Sequence, residues 1–213
     1  MRVVLSSDLT NDINFKSYKD QVIFEYPEII TGQGRPYRVY TPYKNNWLKN
    51  LGPQHISNQV VNFKALASLR DTNKFITKWS FSILGFKESS LWLEAGETAA
   101  QKRLNKFNKF ENDYFNNRNF PCLQDGTSGL SVHLRFGTIS IRQLVRNTQR
   151  KNTIGVKTWL SELIWRDFYQ TILDQFPHVA KTCFQAECDK IEWPGKNRHF
   201  ELWCKGMTGY PLV

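Results

Sequence analysis

The sequence predicts a mainly α-helical protein that begins with one short extended segment. Apolar side chains recur at spacings of three and four, the period of an amphipathic helix, over several stretches of the chain. The run Val22-Ile23-Phe24 is instead continuously apolar, which is typical of a buried strand. The helical stretches are residues 97–116, 128–136, 140–149 and 156–176.

The order of these patterns predicts the tail of one domain followed by most of a helical one. Residues 1–36 hold the extended run and a turn-rich segment, and we expect them to end an α/β domain. Residues 37–90 contain a short helix after Pro42, with Trp47, Leu48 and Leu51 on one side, and are interpreted as a linker lying across a surface. Residues 91–213 would form the N-terminal part of the helical domain.

The composition favours a folded, basic protein of 213 residues. Hydrophobic residues make up 40% of the chain, enough to build a core, so wholesale disorder is not expected. The formal net charge of +10 favours a polyanionic partner, nucleic acid before an anionic membrane, the alternative being a protein that is basic without such a partner.

Other classes of protein are not expected. Four scattered cysteines without a CxxC pair predict no zinc site and reduced thiols. The N-terminus lacks the apolar core of a signal peptide, and no run of 18 apolar residues occurs, so we expect a cytoplasmic protein without a membrane span.

A loop rich in glycine and hydroxyl side chains opens one of the helical stretches. In Gly126-Thr127-Ser128-Gly129-Leu130-Ser131, backbone N–H groups and hydroxyls could cradle a phosphate. The alternative is an ordinary helix N-cap made by Thr127 or Ser128, which the residues alone favour.

One face of the longest helical stretch carries side chains suited to a nucleobase. Glu162, Trp165, Arg166 and Tyr169 fall within an arc of about 100°. Tryptophan can stack on an unstacked base, arginine can contact a phosphate, and a carboxylate can hydrogen-bond a base edge. The alternative is plain packing of the two aromatic rings on a second helix, with Glu162 and Arg166 as a surface pair.

Six blocks, in order, carry a resemblance to a known family. The blocks are YTPYKNNW (40–47), GETAA (96–100), RNFP (118–121), GTSGLS (126–131), WLSELIWRDFY (159–169) and GMTGYP (206–211). In these blocks the chain resembles the DNA photolyase/cryptochrome family over residues 14–213, most closely the class I photolyases that repair cyclobutane pyrimidine dimers. The resemblance implies part of a helical FAD-binding domain of the photolyase type, preceded by the tail of an α/β antenna domain.

The resemblance also implies roles for individual residues. Glu162 would hydrogen-bond the dimer, Trp165 would pack on it, and Trp193 would be the outermost tryptophan of an electron-transfer chain, although a surface aromatic beside a turn is the alternative for Trp193. Lys181 would contact a folate antenna, methenyltetrahydrofolate, in the full-length protein. The implied FAD contacts are Tyr114, Thr127, Ser128, Gly129, Leu130, Ser131 and Trp159, and the implied DNA contacts are Arg118, Glu162, Trp165, Arg166 and Tyr169.

The implied activity is light-driven repair of pyrimidine dimers in DNA by electron transfer from reduced FAD, in a protein expected to be a monomer. The family pattern begins earlier and continues later than this chain, so we interpret the chain as a fragment that binds FAD poorly and whose own activity is in doubt. The alternatives are a cryptochrome-type blue-light receptor and an inactive basic DNA-binding remnant.

Overall fold

The computed structural model describes residues 18–58, 62–65, 80–87, 90–192 and 195–211. Within these ranges the chain is helical and forms no β-strand. It divides into two compact units, the first ending at Thr171 and the second beginning at Ile172. The helices are α1 (Tyr40–Asn50), α2 (Pro53–Ile56), α3 (Glu97–Phe107), α4 (Tyr114–Asn117), α5 (Ser131–Arg135), α6 (Ile141–Thr148), α7 (Ile154–Gln175) and α8 (Asn197–Cys204).

The four helical stretches of the sequence are confirmed in outline, with one interruption. The first stretch was predicted to run from residue 97 to residue 116, but α3 ends at Phe107. A 3₁₀ turn, Glu111–Asp113, then separates it from α4. The next two stretches are α5 and α6, which Gly137 separates in a left-handed conformation with φ of 68°.

Helix α7, the longest in the described residues, supplies much of the core of the first unit. The Thr153 hydroxyl accepts a hydrogen bond from the Val156 N–H at 3.3 Å, which satisfies one free donor of the first turn. A Cβ at Gly155 would lie 2.2 Å from the backbone oxygen of Asn112, so only glycine lets α7 begin against the Glu111–Asp113 turn. The buried apolar side chains of α7 are Val156, Trp159, Leu163, Ile164 and Phe168.

Helix α1 begins earlier than the sequence predicted. It starts at Tyr40 rather than after Pro42, because a proline in the first turn lacks only an N–H that would have no partner there. Its buried side chains are Tyr43 and Trp47, both fully inaccessible, whereas Leu48 is 40% exposed.

The predicted strand at Val22-Ile23-Phe24 is wrong, although the predicted burial is confirmed. All three side chains are at least nine-tenths buried, but within the described residues no strand pairs with this segment. The N–H groups of Ile23 and Phe24 donate instead to Oδ2 of Asp167 in α7, at 3.0 and 3.4 Å. A side chain has therefore replaced a neighbouring strand as the hydrogen-bond partner.

Two arginines bind the carbonyl groups of the same extended segment, residues 19–24, which we call the N-terminal segment. Arg142 of α6 donates to the carbonyl oxygens of Lys19, Asp20 and Val22 at 2.9 to 3.3 Å. Arg166 of α7 donates to the carbonyl oxygen and, at 2.8 Å, to the side-chain oxygen of Gln21. Side chains of α6 and α7 thus satisfy both N–H and C=O groups of an irregular segment, of which residues 22–24 are buried.

Asp167 also joins α1 to α7. The indole N–H of Trp47 donates to the same oxygen, Oδ2, at 3.1 Å, and Asp167 is fully inaccessible. Burial raises the pKa of this carboxyl to about 6, although the hydrogen bonds from Trp47, Ile23 and Phe24 oppose the shift.

The second unit is described by itself. It contains the 3₁₀ turns Pro177–Ala180 and Ala186–Lys190 and the helix α8. Phe176 packs edge-on against Phe184 with ring centroids 5.2 Å apart, and Phe200 stacks on Trp203 at 5.9 Å. Within the described residues of the chain, no helix has both the length and the hydrophobicity needed to cross a membrane.

The raised pKa of Asp167 predicts a specific pH dependence of stability. Because the carboxyl titrates near pH 6 when folded and near 3.8 when unfolded, the folded state holds the proton more tightly. Its contribution to the free energy of unfolding is therefore greatest below about pH 4 and falls by about 3 kcal/mol as the pH rises through 6.

Urea titrations between pH 4 and 7.5 would measure this effect against Asp167→Asn, which keeps an acceptor oxygen and cannot ionise. We expect the stability of the wild type relative to the variant to decline over this range. A difference that is independent of pH, or that grows with pH, would contradict the assignment.

Candidate functional site

A cavity of about 560 Å³ in the first unit brings together residues from five separate parts of the sequence, one of which is Gln21 of the N-terminal segment. We call it cavity A. It is lined by side chains of α4, α5, α6 and α7 and by the loop before α5. Among them are seven residues for which the sequence predicted a site role: Tyr114, Ser128, Leu130, Ser131, Trp159, Glu162 and Arg166.

One wall of cavity A is aromatic and aliphatic. Trp159 is 2% exposed and packs on Phe107, with ring centroids 4.7 Å apart. Phe107 in turn meets Tyr114 edge-on at 5.6 Å, and burial raises the pKa of the Tyr114 phenol. Leu144 and Leu163 complete this wall, which suits a flat apolar ring system.

The loop before α5 supplies the polar part of the lining. Ser128 and Ser131 both line cavity A, whereas Thr127 is exposed and does not. Neither Thr127 nor Ser128 caps the helix, because the residue at the N-cap position is Leu130. The Ser128 hydroxyl accepts a long hydrogen bond, 3.4 Å, from the Leu130 N–H. The simple N-cap alternative is therefore wrong for this loop.

Arg103 of α3 holds the loop in place. Its guanidinium donates to the backbone oxygen of Ser128 at 2.8 Å and to that of Thr127 at 3.4 Å. It also forms an ion pair with Asp125 at 3.2 Å. Gly129, with φ of 62°, lies so close that a Cβ there would be 2.5 Å from Arg103 Nε.

Sequence reasoning missed Arg103, because the contact joins residues 25 positions apart. The glycine directly after Thr127 and Ser128 was the signal that a second group approaches the loop closely. Arg103 balances the negative charge of Asp125 and binds the carbonyl oxygens of Thr127 and Ser128. Because these negative groups are then already paired, the loop repels an anion less.

Glu162 reaches cavity A already paired with a cation. Arg118 donates to Glu162 Oε1 in a close ion pair, and both side chains are about one-third exposed. The hydrogen bond to Glu162 raises the pKa of Arg118, whose guanidinium also lies 5.6 Å from the centre of the Tyr114 ring. The structure thus brings together two residues that the sequence assigned to DNA, one of which also borders the predicted cofactor site.

Trp165 and Tyr169 lie on an adjacent side of α7 and do not line cavity A. Trp165 stacks on Tyr40 of α1 with ring centroids 3.5 Å apart and planes 7° apart, and on Tyr169 at 5.4 Å. The Tyr40 hydroxyl is held by the backbone oxygen of Ser161 at 2.7 Å. One face of the predicted stacking tryptophan is therefore covered by a ring that sequence reasoning missed.

Three further residues for which the sequence predicted a site role are Arg166, Trp193 and Lys181. Arg166 lines cavity A, but its guanidinium is bound to Gln21 of the N-terminal segment. Trp193 lies outside the described residues. Lys181 is exposed in the second unit, and its contact with a folate antenna stays a prediction. Among the described residues, no three His, Cys, Asp or Glu side chains are grouped so that they could hold a metal ion.

Comparison with known proteins shows which proteins the chain is similar to. The chain is 35% identical over 213 residues to a deoxyribodipyrimidine photo-lyase from Synechococcus and 31% identical over 208 residues to one from Vibrio cholerae. It covers 43% and 44% of the length of these relatives, and 91% and 94% of the chain is matched. A bacterial class III photolyase from Agrobacterium tumefaciens has a similar structure, with a TM-score of 0.67 and 27% identity over 91% of this chain and 41% of that one.

The match to a family model defines the class of domain. Residues 159–213 match the model of the FAD binding domain of DNA photolyase, so α7 and the second unit belong to a flavin-binding type of helical domain. With the relatives above, this match places the whole chain: it belongs to the DNA photolyase/cryptochrome family and spans less than half of the length of its curated relatives.

The contact between Arg103 and Gly129 predicts that adding a single methyl group at position 129 lowers the free energy of unfolding by an unusually large amount. Gly129→Ala would displace the guanidinium from the loop, in addition to the strain of a positive φ. Gly137→Ala is the matched control, because its φ is also positive, 68°, and its Cβ would meet only Gln21 at 3.6 Å. We expect Gly129→Ala to lower the free energy of unfolding by about 2 kcal/mol more than the control does.

A double-mutant cycle separates the clash from other causes. In an Arg103→Ala background the penalty of Gly129→Ala should fall to that of Gly137→Ala, measured by chemical denaturation. An unchanged penalty in that background would show that the guanidinium does not set the environment of Gly129.

Proposed function

We propose that this chain forms part of the flavin-binding half of an enzyme that uses light to repair cyclobutane pyrimidine dimers in DNA. The observation that carries the proposal is cavity A, which gathers Tyr114, Ser128, Ser131 and Trp159 beside the Glu162–Arg118 pair. The predicted cofactor contacts and the predicted dimer contact thus border the same space. The names of the curated relatives support the activity, and the basic net charge supports a DNA partner.

The lining of cavity A fits part of an FAD molecule. The Ser128 and Ser131 hydroxyls would bind its phosphates, helped by the net positive charge that Arg103 and Lys106 leave after they share the one carboxylate of Asp125. The buried wall of Trp159 and Tyr114 would pack against an apolar part of the cofactor. Gly129 supports the fit, because only a residue without a Cβ leaves room for the arginine that holds the loop.

Glu162 and Arg118 would stabilise the negative charge that the dimer gains when it receives an electron. The chemistry that bound, reduced FAD supplies is light-driven transfer of one electron to the dimer, which splits the two bonds joining the pyrimidines and then returns the electron. Glu162 would hydrogen-bond the dimer and orient it. The guanidinium of Arg118 balances the carboxylate, so the pair brings no net negative charge to the dimer when the electron arrives.

The DNA-facing surface would be the aromatic group of Trp165, Tyr169 and Tyr40. A base that leaves the duplex needs a flat surface to replace its stacking partners. Because Tyr40 backs Trp165 at 3.5 Å and is itself fixed through Ser161, the indole is held rigid. A rigid platform loses little conformational entropy when a base packs on it.

Replacing Glu162 tests the recognition step. Glu162→Gln keeps the shape of the side chain but replaces one acceptor oxygen with a donor NH2 group, and it leaves Arg118 without its ionic partner. We expect the preference for an oligonucleotide with one thymine dimer over the undamaged sequence to fall about tenfold, in fluorescence anisotropy titrations with and without FAD. Glu94→Gln, the same change at a side chain that is 75% exposed, is the control and should leave this preference intact.

Illumination separates the candidate activities. With FAD, a reductant and blue light, the proposed enzyme converts the dimer back to two thymines, which chromatography of the oligonucleotide would measure. Dimer recognition without conversion would instead support a basic DNA-binding protein without repair activity. Flavin binding without a preference for the dimer would favour a photoreceptor.

A further inference from the structure

A second cavity, of about 530 Å³, lies against a different side of α7. We call it cavity B. It is bounded by the second half of α1, the end of α6, the connection at residues 149–152 and the first half of α7. It shares no lining residue with cavity A, so none of the site residues predicted from the sequence explains it.

The charged lining of cavity B is entirely basic. It contains Lys44, Lys151 and Lys157, and no aspartate or glutamate is among the lining residues. Glu111, a buried carboxylate outside the lining, binds Lys151 at 2.8 Å and so fixes its position. Lys44 donates to the Ser161 hydroxyl at 3.2 Å. Because Glu111 balances the charge of Lys151, an anion entering this space would be attracted mainly by Lys44, which Ser161 positions, and by the exposed Lys157.

The remaining lining of cavity B has two further properties. Its floor is aliphatic, formed by Leu48, which is 40% exposed, and by the partly exposed Leu51 and Leu160, over the buried Val156 and Ile164. Gln149 and Asn152 add two amide side chains, which can donate and accept hydrogen bonds at once. A small inorganic anion would use the lysines but would leave the aliphatic floor and the amides without a role.

We propose that cavity B binds a nucleotide, with its phosphate at the lysines and its base on the aliphatic floor. The amides of Gln149 and Asn152 match the paired donor and acceptor groups on the edge of a base. A fatty acid or lipid would use the lysines and the floor, but it has no such edge for the amides. The nucleotide can be free in solution or part of a DNA strand, and both present the same phosphate and base.

This site stands apart from the proposed function, because it involves neither cavity A nor the Glu162–Arg118 pair. Titration of the full chain with 2′-deoxyadenosine 5′-monophosphate, followed by NMR, would test it. We expect amide shifts in the second half of α1 and at residues 148–164. Lys157→Gln should weaken binding about tenfold. Lys102→Gln, the same change at a side chain that is 70% exposed and outside both cavities, is the matched control.

Three further arms decide the outcome. Deoxyadenosine without its phosphate should bind at least about tenfold more weakly, because the lysines then have no anion. A single-stranded oligonucleotide that competes with the nucleotide and is sensitive to Lys157→Gln would identify DNA as the source, and insensitivity would identify the free nucleotide. Shifts confined to cavity A, equal effects of the two lysine variants, or tighter binding of a medium-chain fatty acid would overturn the proposal.

Discussion

Asp167 Oδ2 accepts hydrogen bonds from three donors that lie at least 120 positions away in the sequence. Two are backbone N–H groups of the N-terminal segment, and the third is the indole of Trp47 in α1. A buried carboxyl group is costly unless it accepts hydrogen bonds, so the three donors at Oδ2 fix the rotation of α7 about its axis, while Oδ1 is buried without a hydrogen-bond partner among the described residues. Because the helical period fixes the angles between side chains, the orientation of Asp167 also sets the direction of every other side chain of α7.

The two sides of α7 follow from this rotation. With Asp167 directed inward, Trp159 and Glu162 face cavity A, and Leu160 and Ile164 face cavity B. The N-terminal segment, held by Arg142, Arg166 and Asp167, contributes Gln21 to the edge of cavity A. Irregular backbone can border cavity A because side chains, rather than a sheet, satisfy its polar groups. The extended segment is therefore part of the scaffold of the site.

The sequence was informative where the relevant contacts are local. The helical period of α7 placed Glu162 and Arg166 on one side, and the glycine and hydroxyl pattern located the loop at residues 126–131. It was misleading for Val22-Ile23-Phe24, because an apolar run records burial but not the partner of its hydrogen bonds. Arg103 and Tyr40 were missed, since each acts through a residue far along the chain, and no local period encodes such pairs.

Native-state hydrogen exchange at Ile23, Phe24 and the Trp47 indole tests the central role of Asp167 most directly. If one carboxylate oxygen joins the N-terminal segment, α1 and α7, these three protons should exchange through the same opening reaction as the amide of Ile164 in α7. Their free energies of opening would then agree within about 0.5 kcal/mol. Exchange of Ile23 and Phe24 at the rates of an unstructured peptide, while Ile164 stays protected, would contradict the account.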